Sequence, residues 1–317
     1  MIHLGCRQAE AQGGMAEKAA GRAGDAALAA LYAVPALVSR PAEQTIPFIF
    51  ASPHSGRLYP AGFVASSRLS PLFLRRSEDA FADLLFGAAV ALGAPMIAAR
   101  FPRALVDVNR GPAELDAAMF DGPLTVPVDA PSARVQAGLG VIPRVVRDGA
   151  EIYRAKLAPV EAAERLERLY RPYHAALAGL VAETQARFGV AVVVDCHSMP
   201  SAATAPDVVL GDRYGTSAMP ALVRHAQQSF ELKAFMVARN QPYAGGHTTE
   251  RYGRPADGVQ ALQIEINRAL YLDEERVTPN ANFDAVCARL GEVLASLTAM
   301  TPAALRAGAQ AMPWAAE

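Results

Sequence analysis

Strand-like and helix-like patterns of apolar residues alternate along most of the chain. Apolar runs at 46–51, 96–99 and 104–108 are short enough to predict β-strands. The run 190–194 is apolar and largely β-branched, which is typical of a strand buried on both faces. Three later runs predict further strands, at 207–210, 234–238 and 260–266.

Helical spacing of apolar residues fills the intervals between these strands. It predicts a helix around 77–92, a long helix from 166 to 188 and a closing helix at about 282–300. Pro172 either kinks the long helix or begins a new one. Residues 112–150 are rich in Gly, Pro and Asp and show no steady period, and so long an irregular stretch is more often functional than idle.

This alternation predicts an α/β fold with a mostly parallel, mixed central sheet flanked by helices. No internal repeat and no Ser/Pro-rich linker divides the chain, so we expect one domain over residues 26–317. Residues 1–25 are mostly small or polar, with many Gly and Ala. We expect them to form a flexible N-terminal tail.

Composition narrows the class of protein. The 317 residues include 30 basic and 31 acidic side chains, a balance that argues against a nucleic-acid-binding protein. With 52% hydrophobic and 19% charged residues, the chain is unlike a disordered one. No uncharged run reaches the ~18–20 residues of a membrane span, and no secretory signal is visible. We therefore expect a cytoplasmic protein with no membrane or nucleic-acid partner. The sequence leaves its oligomeric state open.

Reactive side chains stand at three predicted strand ends, where ligands bind in open α/β sheets. His54 follows the first strand, and Glu265 lies near the end of a later one. Asp195 and His197 close the β-branched strand and share one of its faces, so the carboxylate can orient the imidazole. Two histidines at neighbouring strand ends favour a metal site, and zinc suits imidazole with carboxylate. Cys196 faces the other side and is expected in the core.

A third metal ligand should be a carboxylate, and the segment Ser77-Glu78-Asp79 offers two. The same residues are also ordinary chemistry for the start of a helix, where acids favour the helix dipole. Spacing alone favours the capping interpretation, and it does not choose between Glu78 and Asp79.

Glu265 is a carboxylate in the middle of an apolar strand. Alternation places Gln263, Glu265 and Asn267 on one face and the aliphatic residues on the other. Burying a carboxylate without a partner is unfavourable, and near a metal it could act as a general base. The alternative is a half-exposed strand with a solvated polar face.

Asn109 and Arg110 close another predicted strand. Arginine suits the bidentate binding of a substrate carboxylate. The alternative is a structural salt bridge from Arg110 to Asp107 or Glu114.

The remaining histidines are divided between a loop and helix surfaces. His247 and Thr248 belong to the glycine-hinged loop 245–249, which either closes over a substrate or forms a turn. His174 and His225 are expected on helix surfaces.

Six segments occur in order along the chain: SPHSG, SEDAFADLLF, ALVDVNRGP, VVVDCHSMPS, YAGGHTTERYGRP and ALQIEINRALYLD. In combination they resemble the N-formylglutamate amidohydrolase family over about residues 45–275. That family is related in fold to zinc carboxypeptidases and aspartoacylase-like deacylases, so the resemblance implies a zinc-exopeptidase-like fold. The chain lacks a G-x-S-x-G elbow, a Walker loop and a G-x-G-x-x-G turn after a strand, which argues against three other enzyme classes.

The resemblance also implies roles for these residues. Zinc would be held by His54, Asp79 and His197, with Asp79 favoured over Glu78 because family members usually keep an aspartate in that register. Glu265 would be the general base that activates a water molecule.

The resemblance also implies that Arg110, beside Asn109, anchors a substrate carboxylate. His247 and Thr248 are further candidates for substrate contact, as residues of the glycine-hinged loop 245–249. The expected reaction is hydrolysis of N-formyl-L-glutamate to formate and L-glutamate, in histidine degradation. The alternatives are a deacylase or peptidase for another N-acyl or N-terminal group, and a non-catalytic binding protein of the same fold.

Three positions depart from the pattern of the family and its relatives. Arg57 stands where carboxypeptidase-like relatives place an acid, three residues after the first histidine. His247 and Glu250 stand where many members carry Tyr and Arg, so the group that recognises the substrate side chain is left open.

Overall fold

A computed structural model describes residues 25–146, 149–202 and 205–307. The strands of its central sheet are β1 (Ala36–Ser39), β2 (Phe48–Ser52), β3 (Met96–Ala99), β4 (Ala191–Met199), β5 (Val208–Gly211), β6 (Val237–Arg239) and β7 (Val259–Asn267). They form a seven-stranded sheet in the order β1-β3-β2-β4-β7-β5-β6. The tail predicted for residues 1–25 lies outside the described residues, apart from Asp25.

The sheet is parallel in its centre and has antiparallel pairing towards both edges. The central strands β3, β2, β4 and β7 are parallel to one another. Strand β1 is antiparallel at one edge, and β5 and β6 form a parallel pair antiparallel to β7 at the other. The prediction of a mostly parallel, mixed sheet is therefore confirmed.

Helices and short turns connect and cover the strands. The helices are α1 (Ala26–Ala33), α2 (Ala61–Ser66), α3 (Pro71–Arg75), α4 (Ala82–Leu85), α5 (Ala88–Ala91), α6 (Ala133–Gln136), α7 (Pro159–Arg165), α8 (Arg171–Phe188), α9 (Pro220–Glu231), α10 (His247–Tyr252), α11 (Phe283–Leu297) and α12 (Pro302–Ala307). A π-helical turn, Leu166–Tyr170, joins α7 to α8. A small ribbon follows the sheet, with strands β8 (Leu272–Asp273) and β9 (Thr278–Pro279). No described helix is long and apolar enough to cross a membrane.

Apolar side chains bury both faces of the sheet. Alternation along β2 sends Ile49 into the cluster that packs against α8, and Phe48 and Phe50 into the cluster that packs against α9 and α11. Cys196 is fully buried in the second cluster, as its alternation with the polar residues of β4 predicts. With the sheet covered on both sides, the strand ends are the places where polar side chains can gather.

Two predicted elements differ in the structure. The helix predicted over 77–92 is divided into α4 and α5, and Phe81 before it has a left-handed backbone with φ of 63°. The backbone N–H of Asp79 donates to the carbonyl of His54 at 3.0 Å and turns the chain towards that residue, so the helix begins only at Ala82; the division itself falls at Phe86 and Gly87. The strand predicted over 104–108 is a buried, turn-rich segment instead. An apolar run predicts that a segment is buried, but it does not by itself predict that the segment is a strand.

Candidate active site

One large cavity of about 720 Å³ opens at the carboxyl ends of β2, β4 and β7. These strands are neighbours and parallel, so their ends lie on the same edge of the sheet. His54 follows β2, His197 is near the end of β4 and Glu265 is near the end of β7, and all three line the cavity. The structure therefore brings together the strand-end residues that the sequence singled out.

Two histidines and an aspartate meet in this cavity. Oδ2 of Asp79 lies 3.2 Å from Nδ1 of His54 and 2.8 Å from Nδ1 of His197. The three ligand atoms lie within 4.8 Å of one another, and all three residues are buried. One divalent metal ion fits this set of donors, which is the combination of imidazole and carboxylate that zinc prefers.

The outer nitrogen of each imidazole contacts a second carboxylate. Nε2 of His54 is 2.7 Å from Oδ1 of Asp107, and Nε2 of His197 is 3.0 Å from Oδ2 of Asp195. Histidine ligands of metals commonly have such a partner, which fixes the ring and leaves the other nitrogen for the metal. The arrangement thus turns both Nδ1 atoms towards Asp79, in agreement with a metal site.

Asp79 and its neighbour Glu78 have separate environments. Oδ1 of Asp79 accepts from Nη2 of Arg268 at 2.9 Å, so Oδ2 is left to face the histidines. Glu78 instead accepts from Tyr59 at 2.7 Å and from Arg75 at 3.1 Å. The structure places Asp79 beside the histidines, and neither acid caps α4, whose N-cap residue is Phe81.

Charge and burial shift the protonation of these groups. Burial raises the pKa of Asp79, but hydrogen bonds with His197 and His54 outweigh it and hold that pKa well below its usual range. For Asp107, burial is likewise outweighed, by the charge of Arg103 and by His54, and its pKa is well below normal. Both carboxyl groups are therefore ionised in the folded protein.

Glu265 has the opposite behaviour. Burial raises its pKa to about 7, although His197 opposes the shift. Its register partner across β4 and β7 is His197, and its Oε1 accepts from Nε2 of Gln263 at 2.9 Å. Gln263 and Glu265 line the cavity while Ile264 lies in the apolar core, as the alternation predicted. A carboxyl with a pKa near 7 is suited to accept and release a proton at neutral pH.

Asn109 and Arg110 also line the cavity. Arg110 donates from Nε to the carbonyl of Leu139 at 3.0 Å and from Nη1 to its neighbour's carbonyl at 3.4 Å. Its Nε is 4.0 Å from Asp107, whose nearer oxygen is bound by Arg103 at 2.9 Å. Among the described residues, Nη2 of Arg110 has no hydrogen-bond partner, so it is available to a ligand.

The glycine loop contributes backbone to the cavity, and its next residues turn away. Gly245 and Gly246 line the cavity, and a Cβ at Gly246 would overlap the side chain of Asn109. His247 begins α10, and its Nε2 is 3.1 Å from the hydroxyl of Tyr170 on the far side. Thr248 is fully buried and its N–H donates to Oδ1 of Asn109 at 2.7 Å. The structure therefore does not bring the side chains of His247 and Thr248 to the cavity wall; their backbone N–H groups donate to Asn109 instead.

Sequence reasoning missed three residues of this site and misplaced a fourth. The histidines and Asp79 are surrounded by Arg103, Asp107 and Arg268. Of these three, only Asp107 could have been singled out from the sequence, as a carboxylate inside an otherwise apolar run. The expectation that His174 lies on a helix surface is wrong. It is buried, and its Nε2 is 2.9 Å from the carbonyl of Val108, behind the Asn109 segment.

The fold and the site define the class: an α/β enzyme with a potential metal site at the carboxyl edge of a mixed sheet. A model of the N-formylglutamate amidohydrolase family matches residues 46–272, and the chain belongs to this family. Its members are amidohydrolases, so the prediction of an enzyme of this kind is confirmed.

Individual relatives agree with the family. The N-formylglutamate deformylase of Pseudomonas aeruginosa is 31% identical over 244 residues, 73% of this chain and 84% of that protein. The crystal structure of N-formylglutamate amidohydrolase from Ralstonia eutropha JMP134 has a TM-score of 0.79 at 36% identity, and covers 83% of this chain and 97% of that one. A gene product of Agrobacterium tumefaciens, with a TM-score of 0.62 at 19% identity over 83% of this chain and 94% of that one, shares the fold.

Proposed function

We propose that this protein hydrolyses N-formyl-L-glutamate to formate and L-glutamate. The observation that carries the proposal is the grouping of His54, Asp79 and His197 with the buried carboxyl of Glu265 in one cavity. Relatives named N-formylglutamate deformylase support the choice of substrate. We also propose that the reaction takes place in the cytoplasm and, as the family resemblance implies, in histidine degradation.

His54, Asp79 and His197 would hold one divalent metal ion, and we propose zinc because two imidazoles and one carboxylate suit it. When bound, the ion supplies a positive charge that polarises the formyl oxygen and lowers the pKa of the attacking water. Asp107 and Asp195 keep the two imidazole rings in place for this role.

Glu265 carries the proton in this reaction. It takes a proton from the attacking water, whose oxygen bonds to the formyl carbon, and it later gives that proton to the nitrogen as the C–N bond breaks. Its pKa of about 7 suits both transfers. Arg110 binds a carboxylate of the substrate through Nη2 and so fixes the amide relative to Glu265.

Metal content and formate release together test the proposal. We expect about one zinc per chain and formate release from N-formyl-L-glutamate, which a chelator abolishes and zinc restores. Metal without formate release would reject the substrate, and N-acetyl and N-formimino amino acids would then be tried. A protein that binds no metal and stays inactive on its addition would contradict the proposal and favour a binding protein.

Glu265→Gln tests the role of the base. We expect the variant to keep its metal and to lose ~10²–10⁴-fold in kcat, the usual contribution of a general base. Glu78→Gln is the matched control, because Glu78 is also a buried carboxyl but contacts Tyr59 and Arg75 rather than the cavity. Substantial turnover by the Glu265 variant would remove this residue from the role.

A further inference from the structure

The cavity contains two arginines that make no ion pair or side-chain hydrogen bond among the described residues, Arg76 and Arg134. The guanidinium of Arg76 lies over the ring of Phe73 at 4.7 Å, and its Nε is buried without a hydrogen-bond partner. By contrast, the neighbouring Arg75 is paired with Glu78 at 3.1 Å. Unpaired arginines in the wall of a cavity are candidates for binding an anionic ligand.

The two arginines lie at different ends of the cavity. The carbonyl of Arg76 accepts from Nη1 of Arg268 at 3.4 Å, and Nη2 of the same guanidinium binds Asp79. Arg76 therefore belongs to the Asp79 end. Arg134, on α6, belongs to the Arg110 end: its carbonyl accepts from the N–H of Leu139 at 2.9 Å, and the carbonyl of Leu139 accepts from Nε of Arg110 at 3.0 Å.

Acidic side chains near Arg110 are already engaged. Oδ1 of Asp107 accepts from the N–H of Asn109 at 2.9 Å and contacts His54, and its Oδ2 binds Arg103. Oε1 of Glu114 accepts from the N–H of Gly111 at 2.7 Å. The Arg110 end thus presents two guanidinium groups, on Arg110 and Arg134, to whatever enters the cavity.

Among the described residues, the glycine loop 245–249 adds no cation to the cavity wall, because its lining residues are Gly245 and Gly246. Glu250, which follows the loop, is exposed and paired with Arg213 at 2.9 Å. A positive group for the side chain of an acidic substrate is therefore expected from another part of the wall.

We propose that Arg134 binds the side-chain carboxylate of the substrate while Arg110 binds its α-carboxylate, so that Arg134 determines the preference for acidic N-formyl amino acids. The inference deepens the proposed function and rests on it. The two carboxylates of N-formylglutamate are joined by a short carbon chain, so two neighbouring cations match them. Arg110 alone cannot bind both carboxylates, because its Nε and Nη1 already donate hydrogen bonds to the carbonyls of Leu139 and Asn109.

N-formyl-L-glutamine is the probe that tests this assignment, because it has the size of N-formyl-L-glutamate without the second charge. We expect kcat/KM of the wild type to favour the glutamate substrate. In Arg134→Gln, kcat/KM for N-formyl-L-glutamate should fall by about tenfold or more, because one charge-assisted contact is lost. The kcat/KM for N-formyl-L-glutamine should change little. Arg134 is exposed, so the substitution leaves the fold intact.

Arg76→Gln is the matched control. It removes the same charge from the same cavity, at the Asp79 end, and should leave the ratio of the two kcat/KM values as in the wild type. If Arg76→Gln lowers the ratio as much as Arg134→Gln, the preference comes from net charge and the assignment is wrong. Equal losses for both substrates in Arg134→Gln overturn it too. A wild type that releases formate from neither substrate refutes the proposed function, and the inference falls with it.

Discussion

His174 should make the folded protein sensitive to acid. Its side chain is only 3% exposed, with Nε2 at 2.9 Å from the carbonyl of Val108 and Nδ1 at 3.0 Å from the hydroxyl of Tyr252. Burial lowers its pKa from 6.5 to about 3. The folded protein therefore keeps this imidazole neutral at pH values where an unfolded chain protonates it.

The size of the effect follows from proton linkage. As the pH falls below 6.5, the unfolded chain takes up a proton at His174 that the folded chain does not, so the free energy of unfolding decreases. Between pH 7 and 5 the free energy of unfolding is expected to decrease by about 2 kcal/mol, if the imidazole has a pKa of ~6.5 in the unfolded chain. That is a large share of the ~5–15 kcal/mol that stabilises an ordinary domain.

Denaturant unfolding of His174→Gln at pH 7, 6 and 5 measures this contribution. Glutamine keeps an N–H donor for the carbonyl of Val108 but does not titrate. The wild type should lose about 2 kcal/mol more than the variant over this interval. His225→Gln, at a half-buried histidine on α9, controls for the loss of a histidine from a helix. Wild type and His174→Gln curves that fall in parallel would refute the reasoning.

Three further substitutions probe the site. Arg110→Ala should raise KM by ~10–100-fold with a smaller change in kcat, because it removes one charge-assisted contact; steady-state kinetics that leave KM unchanged would exclude it as the anchor. Asp195→Asn should weaken metal binding by ~10–100-fold in a chelator competition, as expected for the partner of a ligand histidine, and undiminished affinity would contradict that role. Gly246→Ala should reduce turnover, because its Cβ overlaps Asn109; a fully active variant would show that Asn109 can move.

The sequence predicted the parts of the site that depend on strand alternation. His197 and Glu265 lie on adjacent parallel strands, so the period of two and the position near a strand end were enough to place both at the cavity. The buried sheet itself followed from continuous apolar runs, which are long and unambiguous.

Residues outside the strands were harder to place. Asp79 is attached to the site by the backbone contact with His54, a tertiary interaction that local propensity cannot report, and its pattern equally suited helix capping. Asp107 stands out as a carboxylate inside an apolar run, but that pattern, like the position of Arg268, equally suits a structural ion pair. His174 lies on a face of α8 that the segment around Asn109 covers. The spacing of residues along a helix cannot predict that a distant segment will cover one of its faces.

The side chain of Asn109 contacts strand β4 and the start of α10, and among the described residues it forms no hydrogen bond with those that follow it in the chain. Its Nδ2 donates to Asp195 on β4 at 3.3 Å and its Oδ1 accepts from the N–H of Thr248 at 2.7 Å. Arg134 lies instead on the short helix α6, and Leu139 follows the end of that helix. Under the proposed roles, exchanging the side chains of α6 would change which substrate side chain is accepted and would leave Asn109 and the strand-end residues in place, whereas moving the backbone at Leu139 would also move Arg110, whose Nε donates to its carbonyl.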